Sequence, residues 1–174
     1  VHRHVGTKRE LYRKVVERLY HEDRALVEAW SARLPAASAQ NADTARDVVQ
    51  RLVDRVIERI VQEPVNTRLH MRRWFDPPDE ISALESELYL KIYKPMIEFL
   101  ERMRAAGVVS FEGDFRYFLR GVDWIVVGYF VAGPMSATQF RTDPLEPANV
   151  AAFKQFLLAY VYRMLGIAPA ESRS

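Results

Sequence analysis

The chain contains no cysteine in its 174 residues, which excludes a disulfide framework, a thiolate metal site and a cysteine nucleophile. Histidine is nearly as scarce. Of the four present, His2 and His4 lie in the first four positions, so only His21 and His70 are available to a core site. Neither belongs to a Glu-x-x-His pair of the kind that builds a di-metal bundle. A His-Glu-x-x-His zinc motif, a glycine-rich phosphate loop and a Gly-x-Ser-x-Gly elbow are also missing. No catalytic residue, metal or cofactor is therefore expected, and the chain does not read as an enzyme.

Charge of one sign is lacking too: 25 Lys and Arg against 23 Asp and Glu give a net +2, too little to mark this segment as nucleic-acid binding. Arg51, Arg55 and Arg59 resemble a basic stripe, but Asp47, Asp54 and Glu58 interleave with them, as on a solvated helix face laced with ion pairs. Long apolar runs are missing as well. The most apolar stretch, Gly121 to Gly133, is too short to span a bilayer and contains Asp123. Without a signal peptide, a cytoplasmic protein with no membrane partner is the expectation. The first residue is Val among polar neighbours, which reads as a trimmed start.

What is present is helical periodicity throughout, predicting an all-α fold. Thr7 and Glu10 form a capping box opening a long helix with Leu11, Val15, Leu19, Leu26, Trp30 and Leu34 at helical spacing until Pro35. An Ala/Ser/Asn-rich connection follows. Asp43 or Thr44 caps a second helix whose apolar face runs from Val48 to Val61, and Pro64 starts a short third helix to about Trp74. Asp76-Pro77-Pro78 ends it. A fourth helix runs from about Asp79 to Ala105, with Pro95 inside, where a kink is expected, and Gly107 closes it. The last two helices, residues 113–133 and 147–165, are apolar almost all round, so one layer of neighbours cannot cover them. A partner subunit is the simplest cover.

The segment Val1-His2-Arg3-His4-Val5-Gly6-Thr7-Lys8-Arg9-Glu10-Leu11 resembles the end of the DNA-binding domain in the tetracycline-repressor (TetR) family. There an aromatic, a basic or polar residue, a His or Tyr and a Phe end the recognition helix, and a Ser/Thr-Lys-x-x-Leu helix start follows a tight turn. His2 stands where the family usually has Tyr, and Val5 where it usually has Phe. The downstream order of helices resembles the family as well. The resemblance implies that residues 1–6 are the remnant of a helix-turn-helix domain and 7–174 a ligand-binding and dimerisation domain. It further implies a ligand-responsive transcriptional regulator, most often a repressor, that binds operator DNA through the missing N-terminal domain and releases it when a small, mostly apolar effector enters the helical core. His2, His4, Thr7 and Lys8 would then contact the DNA backbone rather than bases.

Pocket candidates are aromatic, apolar or polar groups near the expected kink: His70, Trp74, Tyr89, Tyr93, Met96 and Phe99, with Phe118, Val122 and Asp123 opposite. Asp123, a carboxylate in an apolar helix, needs a partner: a ligand, Arg116 or Arg120, or a group across a dimer. A homodimer would be made by the last two helices of each subunit as a four-helix bundle, through Tyr117, Gly121, Trp124, Gly128 and Ala132 with Phe153, Phe156, Leu157, Tyr160 and Met164. The alternative function is a helical small-molecule binding protein, or an enzyme, using the same cavity without DNA.

Overall fold

A computed structural model describes residues 7–31, 41–75, 79–131, 138 and 143–167. Among these the chain is helical with no strand: α1 (Lys8–Ser31), α2 (Ala42–Gln62), α3 (Pro64–Phe75), α4 (Asp79–Ala105), α5 (Phe115–Val131) and α6 (Pro147–Leu165). Residues 1–6, and with them His2 and His4, lie outside the described residues, as do Leu34, Pro35, Asp76-Pro77-Pro78 and Ala132.

Each start has a local cause. The box at α1 forms in full: the Glu10 amide donates to Thr7 Oγ1 at 3.2 Å and the Thr7 amide to Glu10 Oε2 at 2.7 Å. At α2 the cap is Asn41 rather than Asp43 or Thr44. Asn41 is extended, with φ −127° and ψ 126°, and its side chain accepts from the Asp43 amide at 2.8 Å. Asp43 is thereby left in the first turn, where its charge suits the helix dipole and pairs with Arg46. Glu63 separates α2 from α3, and Pro64 follows at a position where a missing amide costs nothing. Helix α4 continues through Pro95; the proline has no N–H for the Lys91 carbonyl.

The core joins α2 (Val48, Val49, Val53, Ile57, Ile60), the end of α4 (Phe99, Leu100, Met103), α5 (Phe115, Phe118, Leu119, Val126, Phe130) and α6 (Phe153, Leu157, Val161, Leu165). Helix α1 lies on α4, α2 on α3 and α6, and both α3 and α4 on α5. On α1, Val16 and Leu19 are buried while Leu11 is exposed, so the inward stripe of its first turns is set one residue later than Leu11 and Val15 suggest. The α2–α6 contact also carries polar ties: Lys154 pairs with Asp54, and the Tyr162 hydroxyl donates to the Arg46 carbonyl at 3.1 Å. Burial at that contact raises the Tyr162 pKa.

Both α4 and α6 end on left-handed glycines, Gly107 (φ 72°) and Gly166 (φ 69°). Each supports the same pair of closing bonds. Val108 donates to Met103 and Gly107 to Arg104; Ile167 donates to Tyr162 and Gly166 to Arg163. The two ends are joined, because the Ser110 amide donates to the Leu165 carbonyl at 2.9 Å. Arg104 organises the connection that follows: its guanidinium donates to the Gly113 carbonyl at 3.1 Å, pairs with Glu101, and lies 4.8 Å over the Phe115 ring. Asp114 then caps α5, accepting from the Arg116 amide at 2.8 Å.

Two outcomes follow from these ends. A Cβ at position 166 falls 1.8 Å from Ser110 Oγ, whereas one at 107 meets nothing within 4 Å. Gly107→Ala should cost only the left-handed backbone term, about 1–2 kcal/mol, and Gly166→Ala clearly more, read as the loss of urea midpoint; equal costs would contradict the tight Ser110 approach. Hydrogen bonds from the Arg116 side chain and amide hold the Asp114 carboxyl below its ordinary pKa. Its contribution to stability is therefore present above the ordinary carboxylate range and lost as pH falls through the depressed pKa. Asp114→Ala should lower stability at neutral pH and flatten the acid limb of a stability–pH curve, with the parent and variant converging at low pH.

Candidate ligand site and exposed helix face

Of the pocket candidates, Tyr93 and Asp123 meet at the α4–α5 contact. Tyr93, two residues before Pro95, sits on α4, and its hydroxyl donates to Asp123 Oδ2 on α5. Both side chains are half-buried. A charged acceptor strengthens such a bond, and partial exclusion from water makes its loss costly. Arg116 is engaged by Asp114, at 2.9–3.0 Å from its Nε, and Tyr93 ties Asp123 to α4. Met96 and Val122 flank this pair as half-buried groups against the core. Phe99 and Phe118 are buried in the core itself, so they back the site as packing and present little surface to a ligand. His70, Trp74 and Tyr89 lie on α3 and α4, but their side chains are outside the described residues.

The assigned dimer residues divide into two sets. Phe153 and Leu157 are buried within the chain, which corrects their placement on an outward face. The Phe153 ring stacks on Tyr129 at 4.0 Å and nearly parallel, and meets Phe130 edge-on at 5.3 Å; burial there raises the Tyr129 pKa. The outward set is different. Tyr117 is 79% exposed, Phe156 55%, Trp124 43% and Met164 40%, and half-buried Tyr160 stacks with Phe156 at 6.2 Å. At Gly121 and Gly128, flanking Trp124 on α5, an added Cβ would meet nothing within 4 Å. Large exposed apolar groups beside open small positions are suited to a close-packed partner.

The arginines of α2 split in a way that spacing alone does not reveal. Arg51 pairs with Asp47 and Arg55 with Glu58 along the helix. Arg59 instead reaches across to Glu22 of α1 at 3.4 Å, and Asp54 pairs with Lys154 of α6. Thus two of the six charged groups of the apparent solvated face, Asp54 and Arg59, are tied to other helices. Glu22, Arg55, Glu58, Arg59 and Gln62 line an open surface groove.

Near the chain start, Thr7 is held by Glu10, and the side chain of Lys8 lies outside the described residues. Among the described residues no group of three or more His, Asp or Glu side chains is arranged to hold a metal ion. Nor is any described helix long and apolar enough to cross a membrane. Comparison with protein-family models, with curated proteins and with solved structures finds no match.

The Tyr93–Asp123 contact predicts thermodynamic coupling. In a cycle of Tyr93→Phe, Asp123→Ala and the double variant, denaturant unfolding should give an interaction of about 1–2 kcal/mol, the value of a partly buried hydrogen bond to a charged group. Additive effects would show that the contact does not contribute to stability.

Proposed function

We propose that the chain is the effector-sensing and dimer-forming part of a TetR-type transcriptional regulator. The observation that carries this reading is the position of α4, which packs against α1 on one side and α5 on the other. A small, mostly apolar molecule entering beside Tyr93 and Asp123 changes the α4–α5 spacing, and α4 passes the displacement to α1. Helix α1 begins with the Thr7–Glu10 box, where a DNA-binding head attaches in this reading. The positive end of its helix dipole there is suited to a phosphate. Pro95 supports the role of α4, since the carbonyl of Lys91 lacks its usual donor and the helix is softened next to Tyr93.

The exposed set on α5 and α6 supports an isologous homodimer in which Trp124 packs at the open positions of its partner. Dimerisation sets the spacing of two heads on a palindromic operator, so a change at α1 alters DNA affinity through that spacing. The role requires no catalysis.

The natural full-length protein, tested against the DNA flanking its own reading frame, provides the direct check. It should retard that DNA in a gel, and a lipophilic molecule that raises the melting temperature of the present chain should release it. Absence of any DNA retention at low salt would overturn the regulator reading. Trp124→Glu should convert a dimer into a monomer in sedimentation while retaining the helical circular-dichroism spectrum. A monomeric parent would overturn the dimer.

A further inference from the structure

Helix α1 is held by two chemically different contacts. On one side it packs on α4, and Val16 and Leu19 are buried. Toward α2 it faces the open groove lined by its own Glu22 and by Arg55, Glu58, Arg59 and Gln62 of α2. The Glu22 carboxylate is shared between the two helices. Arg18 Nε, one turn earlier in α1, binds Oε1 at 2.9 Å and orients the group. Oε2 then faces Arg59 Nη2 of α2 at 3.4 Å. On α2, Glu58 pairs with Arg55 at 3.6 Å, and the Arg59 guanidinium reaches across the groove to Glu22.

From this arrangement we infer that the Glu22–Arg59 pair is an ionic latch that fixes the inclination of α1 against α2, making the stance of α1 dependent on ionic strength. The solvent exposure of the pair decides its character. Arg59 is 22% and Glu22 37% exposed: enough shielding for the attraction to act, and enough contact with water for salt to weaken it. A fully buried pair would be insensitive to salt, and a fully exposed one would exert little hold on either helix. Screening shortens from about 10 Å at 0.1 M to about 3 Å at 1 M ionic strength, which reaches the separation across this groove. Apolar burial at Val16 and Leu19 does not weaken with salt. Raising the ionic strength therefore releases the α2 side of α1 and keeps its apolar seat, so that the helix pivots on Val16 and Leu19 without detaching. The inference concerns the seat of α1 within this chain and does not depend on the regulator reading.

The absence of cysteine makes the test direct. Lys14 on α1 and Gln50 on α2 are both exposed, and nitroxide labels on a K14C/Q50C chain report the α1–α2 distance by pulsed electron resonance. In 0.1 M NaCl the labelled parent should give one narrow distance distribution, which shifts or broadens in 1 M NaCl. Glu22→Gln and Arg59→Gln should each show a broadened distribution already in 0.1 M NaCl and respond less to salt than the parent, and the double variant should be no broader than either single one. A parent distribution that is unchanged by salt overturns the latch, and so does a Glu22→Gln chain whose distribution matches the parent in 0.1 M NaCl. The salt arm needs no substitution in the pair, so a variant that fails to fold does not remove the test.

Discussion

The fold depends on how α4 is held. Its C-terminal part is locked: Phe99, Leu100 and Met103 are buried in the core, and the helix ends on the left-handed turn at Gly107, which is tied through Ser110 to the end of α6. Ahead of Pro95 the constraints change. The proline removes one rung of the hydrogen-bond ladder, and Tyr93, packed at the edge of the core, adds a polar contact to Asp123. A helix fixed at one end and softened in the middle can move as a bistable element where a uniformly packed one cannot. Since α1 lies on α4, a displacement of α4 would reach α1 in the proposed mechanism, against the charged groups α1 places toward α2.

The surface presents a complementary constraint. Helix α6 carries two apolar stripes at i,i+4 spacing. Phe153, Leu157, Val161 and Leu165 are buried, whereas Phe156, Tyr160 and Met164 face outward or lie half-covered. On α5, Tyr117 and Trp124 repeat the pattern, with open space at Gly121 and Gly128. Exposed aromatic side chains at this density are unfavourable in water, and in the proposed dimer a second copy would cover both helices with one two-fold operation.

Much of this was legible because helix ends are written in local chemistry. The box at Thr7 and Glu10, the proline start at 64 and the glycine stop at 107 place the start of α1, the start of α3 and the end of α4 within a residue or so. The errors have a common physical origin. Asn41 lies in an Ala/Ser/Asn-rich stretch that reads as loop, and its capping role depends on a backbone conformation that composition does not encode. The two stripes of α6 have the same period and similar bulk, so periodicity identifies both but cannot say which faces the chain's own core. From sequence alone Phe153 and Leu157 therefore fit a dimer seam as well as the chain's own core, where they are buried. Glu22–Arg59, Asp54–Lys154 and Tyr93–Asp123 join residues 30 or more positions apart. Spacing along one helix carries no information about such pairs; they become visible only when the helices are packed.

The central claim is that α4 connects the Tyr93–Asp123 site to α1. Hydrogen exchange on an Asp123→Ala chain tests it without any ligand, because the substitution lies on α5 while the readout is the α1 segment around Val16 and Leu19. Faster exchange across α1, with the core amides of α6 unchanged, is the predicted result. Exchange that rises only in α5 and the adjoining part of α4, with α1 identical to the parent, would contradict it.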